Sequence, residues 1–163
     1  MGGVVKLSTQ TLKSQIRAKY ERRNDLVKID IPGKAVGKGR PKFSRQGNFV
    51  KTFTPAKTVE YENLVRLAWM QSGAEKLDGP IAATIIAYFK IPSSVSKKKR
   101  AEMEGSHYLH KPDGDNICKS ILDSLNGIAY DDDSQVAKIT IEKLYAHDDV
   151  EKVTLILKEI EYE

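Results

Sequence analysis

The sequence predicts an α+β domain with a small, mostly antiparallel sheet packed with helices. Its 163 residues, 40% of them hydrophobic and 30% charged, have the size and composition of one globular domain. Strand-like and helix-like segments follow one another in the order strand, basic loop, helix, strand, helix and strand hairpin. This order indicates the α+β class.

The net charge of +5 suggests a negatively charged partner, with nucleic acid ahead of a membrane surface. The single Cys118 excludes an intramolecular disulfide and fits a reducing compartment. No apolar run approaches the roughly 20 residues that a membrane span needs, and residues 1–10 lack a signal-peptide core. We therefore expect a cytoplasmic protein with no membrane partner.

Residues 8–23 carry an apolar side chain at every fourth position among basic residues, which predicts an amphipathic helix with a thin stripe. We divide the chain into an N-terminal helical arm, residues 1–24, and a folded domain, residues 25–163. The arm either packs on a partner or sister subunit or is a tail without a role. Residues 26–31 alternate apolar and polar side chains up to Pro32, which predicts the first strand.

Residues 34–51 contain six basic side chains and no acidic one. Interleaved glycines allow a close approach to a phosphate backbone, and Phe43 and Phe49 offer rings that can stack on unpaired bases. The pattern favours a loop or ribbon that binds nucleic acid over a merely solvated charged face. The candidate DNA-binding residues here are Lys34, Lys38, Arg40, Lys42, Arg45 and Lys51.

A helix is expected over residues 56–70, with Thr54 as its N-cap, Pro55 at its first position and Gly73 as its stop. Residues 81–89 are apolar on both faces, which predicts a central strand. The side chains predicted to face the core from the helix are Val59, Leu64, Leu67 and Ala68, with Trp69 near its end also assigned to the core rather than to ligand binding.

A second basic patch follows, at the first turn of a short helix capped by Ser94 or Ser96. Its residues either contact DNA phosphates or form a solvated helix start, and the sequence leaves both interpretations open. They are Lys97, Lys98, Lys99 and Arg100.

Residues 111–135 concentrate six aspartates in a chain that is basic overall. Asp113 or Asp115 is expected to cap a helix that runs to about Asn126, with Asp115, Lys119 and Asp123 one turn apart on its polar side. Its predicted buried stripe consists of Ile117, Ile121, Leu122, Leu125 and Ile128.

After this helix, the acidic turn 131–133 leads into a strand at residues 135–145 in which Ala137, Ile139 and Ile141 alternate with polar residues. Residues 147–150 are predicted to form a hairpin loop, because apolar residues alternate again in a last strand beyond them.

This acidic cluster suggests metal-assisted phosphodiester hydrolysis. Carboxylates at this density repel one another unless cations lie among them, and Mg²⁺ prefers carboxylate oxygens with retained waters. Lys119 is one turn beyond Asp115, where its ammonium can hold a phosphate oxygen or orient the attacking water. The alternative is structural: a helix cap, a surface pair between Asp115 and Lys119, and a polar turn. The four candidate metal ligands are Asp113, Asp115, Asp132 and Asp133.

The motifs KPDGDNICKSILDSLNG (residues 111–127) and YDDDSQV (residues 130–136) resemble the RusA family of Holliday-junction resolvases. IPGKAVGKGRPKF and TPAKTVEYENLV, nearer the N-terminus, support the resemblance. It implies a homodimeric, RusA-like endonuclease, commonly carried by prophages, that uses Mg²⁺, or Mn²⁺ in its place. By position, the family's essential acids fall on Asp113, Asp115, Asp132 and Asp133, and its active-site lysine falls on Lys119. Asp131 is an additional acid, and residues before 26 depart from the family pattern.

The function expected from this resemblance is the resolution of four-way DNA junctions by paired symmetric nicks, in recombination and repair. Such a protein would be cytoplasmic and associated with the nucleoid through DNA. Two alternatives remain: a non-catalytic protein that binds branched DNA in a phage recombination system, and a protein-interaction module of such a system.

Overall fold

The computed structural model describes residues 26–160, so the predicted arm at residues 8–23 lies outside the described residues. A 3₁₀ turn, Asp133–Gln135, precedes the fifth strand. None of the helices in the described part of the chain is both long enough and apolar enough to cross a membrane. The elements are β1 (Leu26–Pro32), β2 (Lys42–Gln46), β3 (Phe49–Phe53), α1 (Ala56–Ser72), β4 (Ile81–Phe89), α2 (Lys97–Met103), α3 (Gly114–Ser124), β5 (Val136–Tyr145) and β6 (Lys152–Glu159).

Four strands form a mixed sheet in the order β1-β6-β4-β5. The pairs β1–β6 and β6–β4 are antiparallel, whereas β4 and β5 are parallel. The α+β class is confirmed, and the sheet is mixed, with two of its three strand pairs antiparallel as predicted. At its centre Ile85 lies between Ile141 of β5 and Leu155 of β6.

The predicted hairpin at residues 147–150 is wrong, because β4 lies between β5 and β6. The strand β4 is apolar on both faces, with alternate side chains fully buried, so two neighbouring strands cover more of its surface than one would. The strand β5 is left at the sheet edge. Of its predicted apolar residues, Ile141 packs against the core, whereas Ala137 and Ile139 are exposed.

Helix α3 packs on β5 and on α1, and α1 packs on β1, so these two helices and the sheet enclose the core. The predicted apolar stripe of α3 is confirmed: Ile117, Ile121, Leu122 and Leu125 are buried and Ile128 packs against them. Asp115 and Lys119 are exposed on the other side of the helix, and Asp123 is partly exposed.

The predicted core face of α1 is partly wrong. Val59 and Leu67 are exposed, and the buried positions are Thr58, Tyr61, Val65 and Trp69. The two large rings bury more apolar surface than the aliphatic residues beside them, which rotates the helix toward them. The helix also begins at Ala56, so Pro55 occupies the N-cap position and Thr54 does not cap it, while Gly73 ends it with a φ of 67° as expected.

The basic segment, for which the sequence left a loop or a ribbon open, contains a ribbon in which β2 and β3 pair antiparallel as a separate two-stranded sheet. Gln46 pairs with Phe49, so Gly47 and Asn48 make the turn between the strands, and Gly47 has the positive φ of 62° that tight hairpin turns require. Every residue of β3 is exposed. The ribbon therefore projects from the domain rather than packing on it.

Side-chain hydrogen bonds between β1 and β6 make the free energy of unfolding depend on pH. The Asp30 carboxylate accepts hydrogen bonds from Thr154 Oγ1 at 2.6 Å and from Lys152 Nζ at 3.0 Å. The bond from Thr154, followed by the bond and charge of Lys152, lowers the pKa of Asp30 below its ordinary 3.8. Because the folded-state pKa is lowered, this stabilisation is present above the unfolded pKa and is lost as the pH falls through the folded pKa.

We expect Asp30→Asn to lower the free energy of unfolding at pH 7 by about 1 kcal/mol, since the half-exposed pair is screened by solvent. The difference from wild type should shrink as the pH falls below about 4. Urea unfolding of both proteins at several pH values measures it. A difference that stays constant down to pH 2.5 would contradict this account.

Candidate active site

The loop that leads into α3 is held in place from β5. Lys143 Nζ donates hydrogen bonds to the His110 carbonyl at 2.7 Å and the Pro112 carbonyl at 2.9 Å. The Tyr108 ring stacks on Phe89 with centroids 3.8 Å apart. These contacts fix where α3 begins, and with it the positions of the two motif aspartates.

Asp113 occupies the N-cap position of α3, but its side chain makes no capping hydrogen bond. Asp115 lies in the first turn, and both carboxylates are exposed. Within residues 26–160 no ion pair joins Asp115 to Lys119, whose ammonium is also exposed. Two parts of the structural alternative, the cap and the surface pair, are therefore absent from this part of the chain. These three charged groups are free to contact a ligand.

The three aspartates of the turn 131–133 have three different surroundings. Asp131 is 81% exposed and forms an ion pair with Lys76. Asp132 caps the 3₁₀ turn by accepting hydrogen bonds from the backbone and hydroxyl of Ser134. These bonds lower the pKa of Asp132. The contacts of Asp131 and Asp132 are therefore those expected of residues in a polar surface turn.

Asp133 differs from both, because its partner is another carboxyl group, that of Asp123 on α3. Burial raises the pKa of Asp133 first, and the hydrogen bond and negative charge of Asp123 raise it further. Tyr130 positions this segment: it is fully buried, and its hydroxyl donates to the Leu122 carbonyl at 2.8 Å. The structure therefore brings Asp133 against the C-terminal half of α3.

A small polar network continues from Asp123. Lys38 of the basic loop reaches Asp123 at 3.3 Å and Glu62 of α1 at 2.6 Å. The hydrogen bonds and charges of Glu62 and Asp123 outweigh the effect of burial and raise the pKa of Lys38. Sequence reasoning placed Asp123 beside Lys119 on the polar side of α3 but did not include it in the site, and it gave no role to Glu62. The four-residue spacing from Lys119 was the signal for Asp123.

Within residues 26–160, no three His, Cys, Asp or Glu side chains lie together as a metal site. Asp115 and Asp123 are eight residues apart on α3, a rise of about 12 Å, so the Asp123–Asp133 pair lies well along the helix from the two motif aspartates. The donor chemistry nonetheless suits a hard cation. Burial and the neighbouring Asp123 carboxyl raise the pKa of Asp133, an effect that a bound cation would offset, and Asp113 and Asp115 are uncommitted oxygen ligands.

The basic loop between β1 and β2 lies directly on the start of α3. Lys38 N–H donates to the Asn116 carbonyl at 2.9 Å, and a Cβ on Gly37 would lie 3.1 Å from the Cβ of Asn116. An open cleft of about 410 Å³ separates the loop from the helix beyond this contact. Its polar lining comprises Lys34, Lys38, Lys57, Lys111, Asp113 and Asn116. The cleft is thus lined both by several lysines and by Asp113, one of the two motif aspartates.

The same loop packs closely on the start of α1. Gly39 N–H donates to Thr58 Oγ1 at 3.3 Å, and a Cβ on Gly39 would lie 2.7 Å from that oxygen and 2.9 Å from Pro55 Cγ. We expect Gly39→Ala to lower the free energy of unfolding by about 1–3 kcal/mol, because the loop must move. Gly114→Ala is the matched control, since its Cβ would meet Ile141 at an ordinary 3.6 Å. Urea unfolding measures both, and a Gly39→Ala protein as stable as wild type would contradict the close packing.

The predicted DNA-binding residues fall into two groups. Lys38 is engaged with Glu62 and Asp123, and Arg100 binds Asp149 at 2.8 Å and the Pro92 carbonyl at 3.2 Å, so both hold the fold together. The helix α2 begins after Ser96, whose hydroxyl accepts from Lys99 N–H, as predicted. The remaining candidates are exposed: Lys34, Arg40, Lys42, Arg45, Lys51, Lys97, Lys98 and Lys99.

Comparison with known proteins agrees with the resemblance seen in the motifs. The family model described as endodeoxyribonuclease RusA matches residues 32–156, a span that contains the basic loop, the ribbon and both acidic segments. The chain is also 33% identical over 141 residues to the uncharacterized protein YqaN of Bacillus subtilis (strain 168), covering 83% of this chain and 98% of that protein. The family match supports a nuclease role on DNA and covers most of the chain. The chain belongs to the endodeoxyribonuclease RusA family.

Proposed function

We propose that this chain is a divalent-metal-dependent, structure-selective endonuclease that resolves four-way DNA junctions by paired symmetric nicks. Family membership supports the nuclease class. The observation that carries the proposal furthest is the cleft at the start of α3, where lysines of the basic loop lie across from Asp113. A phosphate backbone held by those lysines would pass directly beside the exposed carboxylates.

Mg²⁺, or Mn²⁺ in its place, is the proposed cofactor. The candidate ligands lie in two places: Asp113 and Asp115 at the start of α3, and Asp132 and Asp133 in the turn that meets the other end of α3 beside Asp123. An ion at either place would be held by the carboxylates there. When bound, the ion would activate a water and stabilise negative charge on the phosphate. Of the turn 131–133, Asp133 is the best ligand candidate, because its neighbour is another carboxyl group, whereas Asp131 pairs with Lys76 and Asp132 accepts hydrogen bonds from Ser134.

The basic residues have separable roles in this proposal. Lys119, exposed one turn from Asp115, can hold a phosphate oxygen or orient the attacking water. Lys34, Lys57 and Lys111 line the cleft and would position the DNA backbone. Lys38 holds the basic loop against α1 and α3 through its ion pairs with Glu62 and Asp123. Contacts to phosphate alone fix position without reading sequence, which suits an enzyme that recognises shape.

A homodimer is part of the proposal for a reason of symmetry. A four-way junction has a pseudo-twofold axis, and two matched nicks require two active sites related by that axis. Light scattering on the full chain, whose mass is 18.3 kDa, is expected to give twice that mass. A monomer at concentrations that cleave junctions would contradict the paired mechanism.

The proposed function is tested with a synthetic mobile four-way junction, incubated with and without Mg²⁺, and with the nicks mapped on all four strands. We expect symmetric nicks on two opposed strands only with metal, and no cleavage of a duplex of the same sequence. Binding without scission under any divalent metal would instead indicate a non-catalytic binder of branched DNA. The absence of salt-sensitive DNA binding would indicate a protein-interaction module.

A further inference from the structure

The β2–β3 ribbon exposes aromatic rings that the proposed chemistry does not use. Phe43 and Phe49 are 73% and 81% exposed, and Phe53 is 47% exposed. Exposing several large apolar side chains on one small element is unfavourable in water, and such groups mark sites where a partner docks. No other element within residues 26–160 makes an extensive contact with this ribbon.

The pairing register shows how rings and cations alternate. Cross-strand partners share a face, so one face carries the pairs Lys42–Phe53 and Ser44–Lys51 with Phe49 beyond them, and the other carries Phe43–Thr52 and Arg45–Val50. The first face therefore has two phenyl rings and two lysines, and the second face has the Phe43 ring and Arg45. No acidic residue occurs anywhere from residue 31 to residue 59. The binding partner that complements such a surface is a polyanion with flat apolar faces.

The base of the ribbon is fixed beside the candidate active site. The preceding loop is tied to α3 through the Lys38 N–H bond to Asn116 and to α1 through the Gly39 N–H bond to Thr58. The register places Phe53 and Phe43 near this base and Phe49 beside the turn, about 14 Å further out. The ribbon therefore begins beside Asp113 and its neighbouring lysines and extends away from the domain.

We infer that the β2–β3 ribbon is a base-stacking element that enters the branch point of DNA, with Phe43 and Phe49 stacking on unpaired or unstacked bases while Lys42, Arg45 and Lys51 hold the adjacent phosphates. This inference rests on the proposed function and adds the origin of its selectivity for branched DNA. Aromatic rings on a basic groove or ribbon are the usual means of binding single-stranded bases without sequence preference.

Two other occupants fit the ribbon less well. A β-ribbon that reads the major groove of a duplex presents polar side chains to the base edges, whereas here exposed phenyl rings lie on both faces. A second copy of this chain would have to neutralise the cations of the ribbon as well as cover its rings. Branched DNA meets both requirements, because its phosphates pair with the cations and its centre offers bases that are easily unstacked.

The test uses the full chain without divalent metal, so that no step depends on cleavage. The probe is a four-way junction with 2-aminopurine at the branch, compared with a duplex of matched length. We expect wild type to raise the fluorescence of 2-aminopurine at the branch, and Phe43→Ala with Phe49→Ala together to abolish the rise. Junction affinity should fall about tenfold or more for the double variant, while duplex affinity changes little.

Three controls make the result specific. Phe43→Tyr with Phe49→Tyr keeps the rings and should retain the fluorescence rise. Met70→Ala removes another exposed apolar side chain, about 20 Å along α1 from the end of that helix nearest the ribbon, and should change nothing. Lys51→Gln should weaken junction and duplex binding alike and reduce the salt slope by about one.

Every outcome decides the inference. If the double alanine variant binds junctions and unstacks the branch as wild type does, or becomes monomeric by light scattering, the inference is overturned. If wild type unstacks the branch through these rings but cuts no junction with metal, the inference stands and the proposed function fails. If wild type shows no preference for junction over duplex, the inference fails whether or not the protein cuts DNA.

Discussion

Asp133→Asn is expected to reduce junction cleavage by about 100-fold or more, whereas Asp131→Asn should cleave nearly as wild type does. These two residues lie two positions apart in the same turn, and the sequence does not distinguish them. The structure does: Asp131 is exposed and paired with Lys76, whereas Asp133 lies against the Asp123 carboxyl. Removing the negative charge of Asp133 would leave the proposed metal ligand set incomplete.

Single-turnover cleavage of a mobile junction with saturating Mg²⁺ measures the difference. Asp131→Asn is the matched control, because it removes the same charge from the same turn. Asp132→Asn should have an intermediate effect, since the amide can still accept the hydrogen bonds from Ser134 that shape the turn. Equal activity in Asp131→Asn and Asp133→Asn would show that the contact between Asp133 and Asp123 has no part in catalysis.

Asp115→Asn is expected to abolish cleavage while binding junctions at least as tightly as wild type. Its carboxylate is exposed and uncommitted at the start of α3, so neither folding nor the basic loop depends on it. Losing one negative charge beside the DNA backbone removes a repulsion, which favours binding slightly. A fall in cleavage of about 100-fold or more with unimpaired binding is the pattern of a group that acts only on the reaction.

Two measurements on the same preparation test this prediction: the affinity for the junction without divalent metal, and the rate of junction cleavage with Mg²⁺. Glu102→Gln on α2 is the control, because it removes an equally exposed negative charge from another helix. The role assigned to Asp115 would be refuted by nicking that continues at the wild-type rate in Asp115→Asn with Mg²⁺.

The elements with strong local patterns were predicted well from the sequence. Helix α3 combines an apolar stripe at helical spacing with charges on the opposite side, and both sides are where the pattern placed them. For the basic segment the sequence left a loop and a ribbon open, and the strand pairing in the structure shows the ribbon. The face of α1 was mispredicted in part. Trp69 is buried as expected, and Leu64 and Ala68 pack against the core, whereas Val59 and Leu67 are exposed. Several apolar residues compete for burial there, and the large Tyr61 ring, which was not expected in the core, is buried instead.

The sequence by itself determined the family, the apolar and polar faces of α3, and the presence of a basic, acid-free segment beside a dense acidic one. These features depend on residue identity and on spacings within a few turns of chain, which one sequence displays directly. Only the tertiary structure decided that β4 separates β5 from β6, that Lys38 binds carboxylates, and that Asp133 is the aspartate of its turn that meets α3. Those outcomes depend on which distant segments pack together, and that choice follows from burying the whole core at once.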